Sequence, residues 1–125
     1  METRHWIFCF LFLMPTISFS QQKAIDSLEN FVKTRPDDSS KVIAYNKLFL
    51  MYEFKDVYKA GDCLKKALSL SQKVNFKKGL AKTYKHLGFL AEDKENYPEA
   101  LRYYFLALDT YELLEDNDGM AANYN

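Results

Sequence analysis

Residues 84–108, YKHLGFLAEDKENYPEALRYYFLAL, decide the fold because they form two amphipathic helical patterns joined by a short polar turn. Three small residues, Gly88, Ala100 and Ala107, stand where large apolar side chains would bury more surface. A glycine inside a helix costs about 1 kcal/mol relative to alanine. Small residues are useful where two helix backbones approach closely, so this stretch predicts a tightly packed helical hairpin.

The middle of this stretch carries the signals of a helix start. Asn96 followed by Glu99 resembles a capping box, and Pro98 falls in the first turn, where its missing N–H costs nothing. We expect Gly88 to face Ala100 across the hairpin. Ala107 is expected to face a following hairpin. A larger side chain at Gly88 would then force the helices apart, at a cost of about 1–3 kcal/mol.

The helical pattern extends along the chain after Gln22. The motif RPDDSS at 35–40 interrupts it, with Pro36 as breaker and Asp38 or Ser39 as the next N-cap. No alternating strand pattern of useful length occurs, and short connectors imply antiparallel neighbours, so we predict an all-α protein. Its predicted helices are a leading helix that includes residues 25–32, then 41–55, 58–74, 78–94 and 98–115.

The sequence repeats itself. KGLAKTYK at 78–85 matches DGMAANYN at 118–125, forty residues later. The second helices of the first two hairpins also agree at a spacing of forty residues, whereas the first helices of the same two hairpins agree at thirty-nine. We attribute the difference to a turn that is one residue shorter in the earlier hairpin. A helical hairpin that recurs at such a period is typical of an α-solenoid. The second-helix matches are Ala60 with Ala100, Leu64 with Tyr104, Ala67 with Ala107, and Leu68 with Leu108.

At these residues the chain resembles the tetratricopeptide repeat family, whose pattern has an aromatic, then Leu-Gly, then a small residue and an aromatic on the second helix. Ala91 departs from the pattern by replacing a second aromatic, and no proline closes the hairpin near Glu112. A period of about forty, rather than 34, resembles the extended repeats of bacterial signalling proteins. The residues that carry the resemblance are Tyr84, Leu87, Gly88, Ala100, Tyr104 and Ala107.

The resemblance implies a right-handed solenoid of antiparallel helical hairpins. It is best over 79–118, and it extends to a first hairpin at 41–78, where Phe49 replaces the glycine. Residues 21–40 form a leading helix and turn, and 119–125 read as the truncated start of a third repeat. We expect the aromatic stripe of the last helix to pack in the core rather than to form a stacking platform. The stripe consists of Tyr97, Tyr103, Tyr104, Phe105 and Tyr111.

The first twenty residues have the pattern of a secretory signal peptide. Nine apolar residues, WIFCFLFLM, follow a short start that contains Arg4, and small residues precede a cleavage site predicted after Ser20. The run is too short to span a bilayer, which takes about 20 residues. The sequence therefore predicts export, and the resemblance to exported bacterial repeat proteins implies a periplasmic or membrane-associated protein of a Gram-negative bacterium. Cleavage would leave Cys63 as the one cysteine, which reads as a small buried hydrophobe.

The sequence carries no constellation of catalytic residues. The mature chain would hold one histidine, His86, and no glycine-rich phosphate loop, and the acidic run EDKENYPE lacks the ligand spacing of a calcium loop. We therefore expect neither an enzyme nor a bound cofactor or metal. The formal net charge is +0, although eleven lysines at 41–85 face nine acids after residue 85. We interpret the lysine-rich and acidic segments as solvated helix faces or as charges that pair between successive helices.

By analogy with the family, function would lie on the concave face, which the first helix of each hairpin lines. Lys and Asn side chains on neighbouring first helices would hold a peptide carboxylate through charge-assisted hydrogen bonds. The alternative is an ordinary solvated face without a ligand. The residues expected to line this groove are Asn46, Leu50, Glu53, Lys82, Lys85, Phe89, Glu92 and Asn125.

The expected function is an exported scaffold that binds protein or peptide. Because a third repeat begins and no capping helix follows, we expect a fragment of a longer protein. An alternative is the periplasmic sensory part of a membrane-bound histidine kinase or transcriptional regulator whose output domain lies beyond Asn125. A transmembrane segment would then follow downstream. Nucleic-acid binding through the lysines of 41–85 is a third alternative, which export argues against.

Overall fold

The computed structural model describes residues 3–114, with side chains from Ser18 onward, and the described part is all-helical. The predicted all-α class is confirmed for this part of the chain. All four helices predicted after residue 40 form, with ends within three residues of the predicted ones. The five helices are α1 (Thr3–Thr34), α2 (Ser39–Tyr52), α3 (Val57–Lys73), α4 (Lys77–Asp93) and α5 (Tyr97–Leu113).

Side-chain caps fix where α2 and α3 begin. Asp38 accepts a hydrogen bond from the backbone N–H of Lys41 at 3.1 Å, as predicted, and Asp56 accepts one from Lys59 at 3.1 Å. Each cap satisfies one of the N–H groups that a helix start leaves without a partner.

The start of α5 confirms half of the predicted capping box. The Asn96 side chain accepts from the backbone N–H of Glu99 at 3.4 Å, and proline occupies the first turn. The Glu99 carboxylate does not reach back to the cap residue. It pairs instead with Arg102, at 2.8 Å to Nη2, because the fork of the guanidinium one turn later offers two donors.

The predicted leader and the leading helix belong to one element, since α1 continues from Thr3 to Thr34. Ile25 and Val32 from its second half are 1% and 8% exposed and join the core. Among the described residues, none of the helices combines the length and the apolar character that crossing a bilayer requires. Export and cleavage after Ser20 stay predictions.

The predicted short turn in the first hairpin is wrong. Four residues, 53–56, connect α2 to α3, whereas three residues, 94–96, connect α4 to α5. Tyr45 and Tyr84 are equivalent at thirty-nine residues; α2 ends seven residues after Tyr45 and α4 ends nine residues after Tyr84, so α2 ends two residues earlier and its longer turn restores one of them. The difference between thirty-nine and forty therefore arises in the helix and not in the turn.

Each helix packs against the next one, and α2 also contacts α4. Consecutive helices are antiparallel: within α4–α5, Gly88 faces Tyr104, while the earlier Ala81 shares a cluster with the later Tyr111. In contrast, α2 and α4 run parallel. A Cβ at Gly79 would lie 2.9 Å from Val42, and four residues further along both helices Asn46 bonds to Thr83.

One large core joins the first four helices. Its buried members include Phe49 and Leu64, both 0% exposed, and Leu90 from α4. The predicted role of Cys63 as a small buried hydrophobe is confirmed, since it is 7% exposed and belongs to this core. A smaller cluster of Ala81, Ala107 and Tyr111 holds the other end of the α4–α5 hairpin.

Gly88 marks the close approach of α4 and α5, but its partner differs from the predicted one. A Cβ at Gly88 would lie 2.7 Å from Cδ1 and 2.9 Å from Cζ of Tyr104, so the glycine makes room for an aromatic ring rather than for Ala100. Ala107 lies in the cluster with Ala81, inside its own hairpin. The following hairpin that it was expected to face lies outside the described residues.

The expectation that the aromatic stripe of α5 packs in the core is only partly right. Tyr111 is 7% exposed and Tyr103 and Tyr104 are partly buried, but Tyr97 and Phe105 are 59% and 63% exposed.

Candidate functional site

Asn46 is not free to line a groove. It is 3% exposed, and its amide lies in a polar network between α2 and α4. Its Nδ2 donates to the Val42 carbonyl at 3.1 Å and to Thr83 Oγ1 at 3.0 Å. Its Oδ1 lies 2.7 Å from Nδ1 of His86. Asn46 was therefore wrongly assigned to the concave groove, because a buried amide needs partners and finds them in the next parallel helix.

His86 is the other half of this network and is 5% exposed. Because an amide oxygen only accepts, Nδ1 of His86 must carry the proton and donate. Burial, together with the positive charges of Lys82 and Lys85, lowers the pKa of His86 to about 4. The imidazole is thus neutral at physiological pH, and it acts here as a buried hydrogen-bond donor.

A line of rings connects α2 to α5 across this network. The ring centroids of Phe49 and His86 are 5.0 Å apart, those of His86 and Phe89 are 5.9 Å apart, and those of Phe89 and Tyr104 are 6.0 Å apart. The Tyr104 hydroxyl donates to Glu92 at 2.6 Å. Burial and this bond raise the pKa of Tyr104 above its usual range. The structure thereby fixes Phe89 and Glu92 in place.

Lys82 and Lys85 lie on the side of α4 that is left open by its neighbouring helices. Lys82 is exposed and Lys85 is partly exposed, with its Nζ 5.6 Å above the ring of Phe89. Within residues 18–114, neither lysine forms an ion pair. Two unpaired ammonium groups one turn apart, beside a partly exposed ring, form a face that can attract an anion.

The other predicted groove residues are less closely grouped. Leu50 is 48% exposed, whereas Glu53 is partly buried at the end of α2. Burial raises the pKa of Glu53, and the negative charge of Asp93 raises it further, so these two acids approach each other. Asn125 lies outside the described residues. The structure brings together Lys82, Lys85, Phe89 and Glu92, which we name the α4 open face, with Leu50 exposed on α2.

Nothing else in the described part resembles a catalytic or metal centre. Burial, together with the negative charge of Asp62, raises the pKa of Cys63 to about 11, so its thiol is not activated. Among residues 18–114, no three side chains of His, Cys, Asp or Glu group closely enough to hold a metal ion.

Sequence reasoning missed the network of Asn46, Thr83 and His86. Asn46 and Lys85 are equivalent, thirty-nine residues apart, and both were assigned to the groove for that reason. The signal that separates them lies on the neighbouring helix: two polar residues, Thr83 and His86, stand one turn apart on the side of α4 that also presents Gly79. Polar residues in such a position need a buried partner.

No model of a known protein family matches the chain, and no curated protein is similar to it in sequence.

Proposed function

We propose that this chain is an exported helical-repeat scaffold that binds the carboxylate of an acidic peptide or protein segment on the α4 open face. Within this proposal, α2–α3 and α4–α5 are two tetratricopeptide-like hairpins of a solenoid. The parallel contact of α2 with α4 supports this, because it places the first helices of both hairpins side by side. Burial of equivalent second-helix residues, such as Ala67 and Ala107, both 0% exposed, supports it too.

The observation that carries the proposal is the pair of unpaired lysines, Lys82 and Lys85, beside a buried neutral histidine. Both ammonium groups lie close enough to His86 to add to the lowering of its pKa, after the larger effect of burial. Two lysines elsewhere, Lys41 and Lys73, are neutralised by Asp37 at 3.0 and 2.8 Å. A carboxylate arriving at α4 would find two donors that have no competing partner among the described residues.

Phe89 and Leu50 give this face an apolar component. The Phe89 ring lies between Lys85 and Tyr104 and is held by both contacts, so little order has to be gained on binding. Leu50 occupies the equivalent position on α2, thirty-nine residues earlier. A ligand with an apolar side chain close to its carboxylate fits this arrangement better than a bare anion.

The test is a calorimetric titration with an acidic nonapeptide that contains one leucine and a free C-terminal carboxylate. Charge-assisted hydrogen bonds are worth about 1.5–3 kcal/mol each, so the Lys82→Ala/Lys85→Ala variant should bind at least about tenfold more weakly. The matched control is Lys65→Ala/Lys94→Ala, which removes two lysines from the groove between α3 and α4. Equal loss in both variants, or unchanged affinity in the first, would refute the proposal.

A further inference from the structure

The outer side of α5 carries an exposed apolar ridge. Tyr97, Leu101 and Phe105 recur every four residues along one face of the helix and are 59%, 56% and 63% exposed. Asp109 and Glu112 continue this side toward the end of the helix, and neither forms an ion pair within residues 18–114. We name these five residues the α5 ridge. Contiguous apolar patches of a few hundred Å² are typical of interaction sites.

A groove lies at the opposite end of the row of helices, between α1 and α2. Its volume is about 240 Å³, its floor is apolar, and Ile43 on its wall is 46% exposed. Lys47 is exposed at the groove and forms no ion pair within residues 18–114. The α1–α2 groove is lined by Leu28, Phe31, Ser40, Ile43, Ala44 and Lys47.

The same side of α3 already serves as a helix contact inside the chain. The residues equivalent to Tyr97 and Leu101, forty positions earlier, are Val57 and Gly61. A Cβ at Gly61 would lie 3.7 Å from Leu90, so α3 approaches α4 at this position, while Val57 on the same side is 48% exposed. On α5 the equivalent side is more apolar and is exposed. By this comparison, the α5 ridge has the position of a surface that another helix approaches.

We propose that the α5 ridge of one molecule docks in the α1–α2 groove of a second copy, so that the chains associate head to tail. The two surfaces match in polarity, since the ridge carries exposed apolar side chains and the groove is lined largely by apolar residues. They also match in charge, since the ridge ends in Asp109 and Glu112 and the groove carries Lys47. The two surfaces lie on opposite ends of one molecule, so each copy offers both.

Such a contact joins two different surfaces, so every dimer still has one free α5 ridge and one free α1–α2 groove. Further copies can therefore add at both ends, which gives open-ended oligomers. The exposed apolar area is small beside the roughly 800 Å² per partner of a stable interface. We therefore expect monomers at low micromolar concentration and oligomers at about 100 µM and above. The α4 open face belongs to neither surface, so this inference is independent of the peptide-binding proposal.

The test uses sedimentation velocity on the 125-residue chain from about 5 to 500 µM. Leu101→Glu disables the ridge and Ile43→Glu disables the groove. Both side chains are about half exposed, so the folds should persist, which circular dichroism verifies. Each variant alone should stay monomeric. Phe54→Glu is the matched control, because Phe54 is 88% exposed and lies on neither surface, and it should associate like the unmodified chain.

Mixing the two disabled variants is the sharper experiment. The Ile43→Glu chain keeps an intact ridge and the Leu101→Glu chain keeps an intact groove, so the mixture should form a 1:1 dimer and stop there. A monomeric unmodified chain over the whole range would overturn the proposal. Association that survives Leu101→Glu, or a mixture that forms no dimer, would overturn it equally. Lys82→Ala/Lys85→Ala should leave the association unchanged, which separates this result from the outcome of the peptide titration.

Discussion

Two glycines on neighbouring helices have opposite roles at the residue scale. Gly88 lies against the ring of Tyr104, where a Cβ would come within 2.7 Å of Cδ1. A Cβ added at Gly61 would make only an ordinary van der Waals contact, since its nearest neighbour, Leu90 Cδ2, would lie 3.7 Å away. The same substitution should therefore have opposite effects at the two positions.

Gly88→Ala should lower the free energy of unfolding by about 1–3 kcal/mol, because the ring of Tyr104 has to move and overpacking is costly. Gly61→Ala should raise it by up to about 1 kcal/mol, because alanine favours the helix and meets no clash. Urea denaturation of both variants beside the unmodified chain measures the two effects. A stabilising Gly88→Ala substitution would show that the ring is not packed against this backbone.

His86 makes the stability depend on pH. Its pKa is about 4 in the folded chain and near 6.5 when unfolded, so the unfolded state binds more protons between these values. The contribution of His86 to the free energy of unfolding is therefore fully present above about pH 6.5. Between about pH 6.5 and pH 4 the free energy of unfolding falls by about 1.4 kcal/mol for each pH unit of acidification.

The measurement is the free energy of unfolding at pH 7 and pH 4.5 for the unmodified chain and for His86→Gln. Glutamine can still donate to Asn46 but does not titrate, so the loss on acidification should be smaller by about 2–3 kcal/mol in the variant. Identical losses would mean that His86 is not buried in its neutral form.

At the scale of elements, the connectors after α3 and α4 share one geometry. Asn75 and Glu95 have φ of 53° and 58°, and each is followed by a residue whose N–H donates back to the last helical turn at 2.9 Å. This is a Schellman ending, which favours glycine or asparagine at the left-handed residue. Asn75 suits the position, whereas Glu95 is strained there.

Glu95→Gly should therefore raise the free energy of unfolding by about 0.5–1 kcal/mol, because the relief of strain exceeds the entropy that glycine adds to the unfolded chain. Ser69→Gly, at an exposed position inside α3, should lower it by about 0.5 kcal/mol. Thermal unfolding of both variants provides the comparison. A destabilising Glu95→Gly would contradict the left-handed conformation of residue 95.

The elements differ in how far the sequence predicts them. The start of α2 follows from Asp38 and that of α5 from Asn96 and Pro98, because caps act locally. The C-terminal end of α2 was harder to predict, because the helical pattern of the sequence continues through Tyr52 and Glu53 although the helix ends at Tyr52. The fate of Asn46 was not predictable from its own helix, because its partners, Thr83 and His86, lie 37 and 40 residues later.

At the scale of the whole molecule, the row of helices separates three surfaces with different chemistry. The α4 open face is basic with a fixed aromatic ring, the α5 ridge is apolar with acids at its end, and the α1–α2 groove is a narrow apolar channel beside one lysine. The helical spacing of Lys82, Lys85 and Phe89 was enough to predict that they share one side of α4, because helix periodicity is a local property. The sequence pattern did not predict the α5 ridge, because the exposure of its side chains depends on which other helices cover α5.

The most direct measurement of the central claim is a map of amide chemical-shift changes in the isotope-labelled chain on addition of the acidic, leucine-containing nonapeptide. We expect the largest changes at Lys82, Lys85 and Phe89, with smaller ones at Leu50. The same peptide with an amidated C-terminus should cause weaker changes at these residues. Largest changes on the α5 ridge, in the α1–α2 groove or around Lys65 and Lys94 would contradict binding at the α4 open face.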